Sequence, residues 1–338
     1  MSKKTNKRVS SRDVAALAGV SQATVSRVFT PGKQVSEDKR RRVLEAAESL
    51  NYKPSVIARS LIQNSTKIIG IFLKKFEDPF YSHALNLLTL KLQGLGYSVL
   101  LFDINGSHSI EDLLPIALQY QVDGILVVSA PLSSELIAEC SRFETPVVMF
   151  NHEDENGNAH SVCTDIHNVG RKVAEYILSK GHKKVSFLSD TQFNTRELEA
   201  GFKAHLLNED VQLLSFYTGD FDYSSVRETI SHMLSMQNQP SAVFCCNDYT
   251  AMTVLDVATK EFGLRVPQDL SIVGFNDTPP ASWPHYNLTT YRQDTEKLVN
   301  NTVDVLIDAI DNPLMPVVHR FLQGFLVERG SVACRKQF

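Results

Sequence analysis

From Ile68 onward the sequence repeats one pattern: a short apolar run of strand length, then a longer stretch whose apolar residues fall at helical spacing. The runs are Ile68-Leu73, Ser98-Asp103, Gly124-Ser129 and Val147-Phe150, with helical spacers such as Pro79–Gly94 and Ile110–Tyr120 between them. Continuous apolar runs of this length are buried on both faces, and parallel strands need a helical crossover where antiparallel ones need only a turn. The pattern restarts after Asp165. Val185-Leu188, Leu213-Tyr217, Ala242-Cys246 and Leu270-Gly274 alternate with helical segments near Val169–Lys180, Leu198–Leu207, Ser224–Met236 and Ala251–Phe262. The expected fold is therefore α/β with two parallel-sheet lobes in series, completed by return segments near Asp294–Ile310 and Val317–Val327. Ligands in open parallel sheets bind beyond the carboxyl ends of the strands, so the cleft between the lobes is the expected pocket.

The first 67 residues are of another kind, with 14 Lys/Arg against 5 Asp/Glu; the rest of the chain is acidic, and the formal net charge is -4. A basic segment on an acidic body is the charge pattern of nucleic-acid contact. Apolar residues at helical spacing separate it from a disordered tail. Val14, Leu17 and Ala18 mark one face of a short helix that Gly19 ends, and Ser21 is a suitable N-cap for a second helix from Gln22 to Phe29. Val25 and Val28 then point inward, leaving Gln22, Ala23, Thr24, Ser26 and Arg27 outward. Gln pairs bidentately with adenine, Ala or Thr touches a thymine methyl, and Arg and Ser hold phosphate or guanine. Ser36 caps a third helix, Val43, Ala46, Ala47 and Leu50 complete a small core, and Lys39-Arg40-Arg41-Arg42 offers charge to a DNA backbone.

Asp13-Val14-Ala15, the run Gly19-Val20-Ser21-Gln22-Ala23-Thr24-Val25-Ser26-Arg27-Val28, Val35-Ser36 and Asn51-Tyr52-Lys53-Pro54 together resemble the DNA-binding head of the lactose repressor (LacI/GalR) family. The resemblance continues through Asp78-Pro79-Phe80-Tyr81, Gly181-His182-Lys183-Lys184-Val185, Asn247-Asp248, the segment Val266 to Phe275 and Leu288-Thr289-Thr290. It implies a three-helix helix-turn-helix head on a two-lobed periplasmic-binding-protein-like core. It further implies a transcription regulator, most simply a repressor, that binds palindromic double-stranded operator DNA as a homodimer under control of a small-molecule effector. On this pattern Ser21, Gln22, Ala23, Thr24, Ser26 and Arg27 face the major groove. Ser55 to Leu61 is a hinge helix that folds on DNA, with Leu61 as the wedge between base steps and Ala58 small enough for two hinges to approach. The effector pocket would draw on Phe80, Tyr81, Asn151, Arg196, Phe221, Asn247 and Asn276, a set of aromatic faces and amides suited to a sugar, a sugar derivative or a nucleoside. Three positions depart from the pattern: Leu198 stands where Arg is usual, and Asn276 and Asn151 where acids are common. Arg196 is the candidate to replace the missing guanidinium.

These readings divide the chain into a helix-turn-helix domain over 1–53, a hinge and linker over 54–66, a core over 67–330 and a tail over 331–338. Within the core, lobe one is about 67–165 plus 293–322 and lobe two about 166–292 plus 323–330. The five cysteines form no CxxC pair and no zinc-ligand spacing, so neither a metal nor another cofactor is expected. No apolar run reaches membrane-spanning length and no signal segment stands at the start, which points to the cytoplasm. Walker, HExxH and GxSxG motifs are absent, which argues against an enzyme. A sugar-binding transport protein would share the core but has no use for the basic head. After Leu326 the sequence has no leucine heptads, so a dimer rather than a tetramer is expected.

Overall fold

The computed structural model describes residues 9–29, 33–53, 65–74, 78–104, 108–128, 130–154, 157–189, 193–207, 209–218 and 223–335. They fall in two compact units, residues 1–67 with 121–123, and residues 68–120 with 124–338.

In the first unit, α1 (Ser11–Ala18), α2 (Gln22–Val28) and α3 (Glu37–Ser49) enclose a core of Val14, Ala15, Ala18, Val25, Val28, Val43, Ala46 and Ala47. A capping box starts α1, with the Ser10 amide and hydroxyl both donating to the Asp13 carboxylate at 2.8 and 2.6 Å. Gly19 ends it in the left-handed conformation, φ 64°, which a side chain would strain. Ser21 Oγ then accepts the Thr24 amide and caps α2, which turns the chain sharply without orphaning a donor. The expected inward Leu17 is instead 57% exposed, and Ala15 takes its place. At about 100° per residue the stripe formed by residues 14, 15 and 18 leaves position 17 roughly a quarter-turn away from the contact.

In the second unit, lobe one carries a six-stranded, wholly parallel sheet in the order β11-β5-β4-β3-β1-β2. Its strands are β1 (Ile68–Leu73), β2 (Ser98–Asp103), β3 (Gly124–Val128), β4 (Val147–Phe150), β5 (His160–Thr164) and β11 (His319–Leu322). Helices α4 (Pro79–Gly94), α5 (Ile110–Gln119) and α6 (Ser134–Arg142) connect them. Lobe two repeats the plan in the order β12-β10-β9-β8-β6-β7, with only β12 antiparallel. Its strands are β6 (Lys184–Ser189), β7 (Gln212–Tyr217), β8 (Ala242–Cys245), β9 (Ser271–Asn276), β10 (Thr289–Arg292) and β12 (Phe325–Val327). They alternate with α7 (Ile166–Ser179), α8 (Phe193–Leu206), α9 (Tyr223–Ser235) and α10 (Asp248–Lys260). The last helix, α11 (Thr295–Asp311), returns to lobe one, where Leu298, Val299, Val303 and Leu306 enter the core beneath its sheet. The chain thus passes between lobes three times, after Thr164, after Arg292 and after Leu322.

Lobe two is held by a cluster of Phe187, Phe202 and Phe244, with ring centroids 5.3 to 5.7 Å apart. Helices α7 and α8 meet so closely that a Cβ on Gly201 would lie 1.9 Å from the His167 carbonyl oxygen. Among the described strands and α-helices, β5, α6 and β10 were not expected from the sequence. Helix α8 starts earlier than its expected Leu198, and β9 runs on to Asn276.

Candidate functional sites

On the first unit, Ser21, Gln22, Ala23 and Arg27 are exposed and Thr24 and Ser26 half-buried, forming one continuous face of α2 opposite Val25 and Val28. Gln22 Nε2 donates to Ser11 Oγ at 2.9 Å, which biases the amide to one side of the helix. Arg41 and Arg42 share the Asp38 carboxylate at 3.1 and 3.3 Å and stay largely exposed, a loose pairing that surrenders little when a phosphate competes. Ala58 and Leu61 lie outside the described residues.

Between the lobes lies a cavity of about 480 Å³ whose lining includes Phe80, Asn276, Asp277, Arg292, Gln293 and Phe325. The Asp78 carboxylate caps α4 by accepting the Phe80 amide at 2.8 Å, which fixes the aromatic at the cavity edge. The two sheets end their fourth strands alike. Phe150-Asn151 closes β4 and Phe275-Asn276 closes β9, and both asparagines have positive φ, 53° and 109°. Asp277 is left-handed as well, φ 54°. Backbone held in such sparsely populated conformations at strand ends is characteristic of ligand sites.

A buried chain of hydrogen bonds spans the cleft: Gln293 bonds to Asn276 Oδ1 at 2.6 Å through Nε2 and to Thr164 Oγ1 at 2.6 Å through Oε1. Beside it, the Asp277 carboxylate takes Arg292 on one oxygen at 2.5 Å and Arg329 on the other at 2.6 Å. Arg329 also donates to the Leu288 carbonyl, so it braces the segment that follows β9, while the half-exposed Arg292 keeps a face toward the cavity.

Of the sequence-derived pocket residues, Phe80 and Asn276 line this cavity and Tyr81, Asn151, Arg196 and Asn247 do not. Tyr81 packs into the lobe-one core. Asn151 is buried at the end of β4, and its amide donates to the Val162 carbonyl. Asn247 spends its side-chain oxygen capping α10, accepting the Thr250 amide at 2.8 Å. Arg196 is exposed on α8, while Leu198 is buried against Phe187 and Phe202, so the guanidinium usual at 198 has become core. Phe221 lies outside the described residues. Asp277, Arg292, Gln293 and Arg329 escaped the sequence reading; the run Asn276-Asp277 and the crossing Arg292-Gln293-Asp294 were the available signals. A second cavity of about 650 Å³ sits at the amino ends of β4 and β5, lined by Ile137, Pro146, His160 and Leu314 among others. It gathers neither strand carboxyl ends nor residues of both lobes.

Behind the cleft, Asp248 is fully buried in the first turn of α10. Thr290 donates to one of its oxygens at 2.6 Å, and the Thr278 amide and hydroxyl donate to the other at 2.6 and 3.0 Å. Burial nevertheless dominates and pushes the carboxyl up to about 7. His182, the residue that invites an enzymatic reading, is buried between Ser241 Oγ at 2.9 Å and the Ala333 carbonyl at 3.1 Å, and burial pushes it down to about 4. It ties the C-terminal segment to lobe two.

A family model described as bacterial regulatory proteins, lacI family, matches residues 12–55, and one described as a periplasmic binding protein-like domain matches residues 174–332. The ribose operon repressor of Escherichia coli (strain K12) is 31% identical over 326 residues, covering 95% of this chain and 98% of that protein. The chain belongs to the lacI family of bacterial regulatory proteins. As a lacI-family regulator it is a helix-turn-helix, DNA-binding transcription regulator, and α2 is its second helix of that motif. Among solved structures, a lac repressor dimer bound to operator and the anti-inducer ONPF is similar with a TM-score of 0.86 at 26% identity, covering 97% of this chain and all of that one. The transcriptional regulator CelR in complex with cellobiose is similar with a TM-score of 0.71 at 26% identity, covering 96% of this chain and 100% of that one. In this lacI-family chain, among the described residues, no helix is long and apolar enough to cross a membrane.

Proposed function

We propose that the protein is a repressor that binds a palindromic operator as a homodimer, with α2 in the major groove, and that a small molecule in the inter-lobe cavity alters that binding. The observation that carries the reading is the face of α2, where Ser21, Gln22, Ala23, Thr24, Ser26 and Arg27 lie together on a helix-turn-helix whose other face is closed by core valines. Gln22 is the residue assigned to base readout, Arg27 and the Arg41 region to phosphates. Ala58 and Leu61 belong to the hinge in this reading. Two copies related by a two-fold axis would match the two halves of a palindrome.

The effector site is assigned to the cavity bearing Phe80, Asn276, Gln293 and Arg292. An aromatic face with amide and guanidinium donors suits the C–H faces and hydroxyls of a sugar, a sugar derivative or a nucleoside. A ligand touching Asn276 and Gln293 touches the hydrogen-bond chain that runs to Thr164 in the other lobe, so binding and the angle between lobes are chemically linked. Relatives named as repressors, and one solved with cellobiose, support this assignment.

The test is a random-site selection with full-length protein followed by affinity measurements on the selected site. Gln22→Ala is expected to cost about 1–3 kcal/mol and to relax preference at one base position, while Arg41→Ala weakens all sequences alike. Selection that returns no palindrome would overturn the reading.

A further inference from the structure

Ser65, Thr66 and Lys67, the residues that lead into β1, are gripped by a single side chain that no role in DNA contact or effector binding accounts for. The Asp123 carboxylate accepts the Ser65 hydroxyl at 2.5 Å, the Thr66 amide at 2.7 Å, the Thr66 hydroxyl at 2.9 Å and the Lys67 amide at 3.1 Å. The Thr66 hydroxyl also lies 2.7 Å from the Gln121 carbonyl. Donors 56 to 58 residues away in sequence thus converge on one carboxylate. Both partner segments are turned by a left-handed non-glycine residue, Lys67 at φ 53° and Gln121 at φ 51°. Such conformations persist only where surrounding contacts fix them. The two segments continue directly into neighbouring strands, since Ile69 of β1 is in register with Gly124 of β3.

We propose that Asp123 is a positioning residue for operator binding: it fixes the direction in which the linker leaves the core, so that two heads of a dimer meet two half-sites without first ordering residues 65–67. The proposal rests on the regulator reading above. Ordering one backbone residue costs about as much free energy as a tenfold change in affinity, and binding through one head does not require the exit of the linker to be fixed. Binding through both heads at once does, because the second contact depends on effective concentration and direction. A carboxylate suits the task, since it offers acceptor sites for several donors at once and charge-assisted bonds hold more firmly than neutral ones.

The experiment uses full-length protein with Asp123→Ala, Asp123→Asn, and a second variant, Ser65→Ala with Thr66→Val, that removes donors from half-buried linker positions and leaves Asp123 in place. The readout is the ratio of affinities for the palindrome and for a single half-site on equal-length DNA. A loss of folded protein lowers both affinities together and leaves the ratio untouched. The expected result is a fall of about tenfold or more in that ratio for Asp123→Ala and for the double variant, with a smaller fall for Asp123→Asn. Trypsin should also cut the Lys67–Ile68 bond faster in the variants, read by mass spectrometry. A ratio equal to that of the unaltered protein in both Asp123→Ala and the double variant would overturn the proposal, even with faster cleavage. An unaltered protein that itself showed no preference for the palindrome would instead bring down the regulator reading, and this proposal with it.

Discussion

Replacing Asp248 by Asn should change how stability depends on pH, with a sign that the structure fixes. An aspartate in the unfolded chain ionises near its ordinary 3.8, whereas in the folded protein burial holds the Asp248 proton to about 7. Between those values the folded state binds more protons than the unfolded one, so stability contributed by this group falls as pH rises through that window and levels off above it. Integrating from about pH 4.5 to about pH 8 gives about 3 kcal/mol, at 1.36 kcal/mol for each tenfold change in proton affinity. The asparagine is neutral throughout. It keeps one acceptor for Thr278 or Thr290 and loses another, a pH-independent cost of about 1 kcal/mol. The variant should therefore match the original protein near pH 4.5 and exceed its stability by roughly 2–3 kcal/mol near pH 8. Urea unfolding at the two pH values, followed by the fluorescence of the single tryptophan, Trp283, measures the difference. A stability difference that is the same at both values would refute the reasoning, because the buried charge would then carry no cost.

His182 should act in the opposite direction. Its imidazole is held neutral down to about 4 against an ordinary 6.5, so the folded state binds fewer protons in that window and stability is lost as pH falls through it. His182→Asn is expected to flatten the acid limb of the urea profile while lowering stability near neutrality by loosening Ala333; an unchanged acid limb would contradict this. Gly201→Ala should cost about 3 kcal/mol, because a methyl 1.9 Å from the His167 carbonyl must push two helices apart rather than rotate a side chain. Thermal unfolding checks it, and a melting temperature within a degree of the original would show that the contact yields.

Two of the strands that the sequence announces are buried purely through apolar side chains and glycine. Ile68–Leu73 and Gly124–Val128 are buried by their own side chains and need no partner to declare themselves. The strand His160–Thr164 is just as buried, yet it begins with His and Ser and ends with Thr. Its polar groups are satisfied from far along the chain: the Val318 amide donates to His160, His319 meets Ser161, and Gln293 meets Thr164. Local hydrophobicity cannot announce a burial that rests on hydrogen bonds formed about 130 residues or more downstream. The cavity follows the same rule. Phe80 follows a visible helix start, Asp78-Pro79, whereas Arg329 reaches Asp277 only because β12 pairs antiparallel with β10. The head was legible for the reverse reason, since its caps, turn and valines all lie within a few residues of one another, and the misplaced Leu17 was an error of helical phase alone.

The three passages of chain between the lobes set a timetable for synthesis. Lobe one has five of its strands by Thr164, but the sixth strand, His319–Leu322, and the helix Thr295–Asp311 leave the ribosome only after five of the six strands of lobe two. At roughly 5–20 residues per second, that interval lasts on the order of ten to thirty seconds. Throughout it the open edge of His160–Thr164 and the apolar floor later covered by Leu298, Val299, Val303 and Leu306 face solvent or a chaperone. Neither lobe can be produced as one uninterrupted stretch of gene. A messenger truncated between the codons for Arg292 and Leu322 yields two unfinished lobes instead of one finished and one missing.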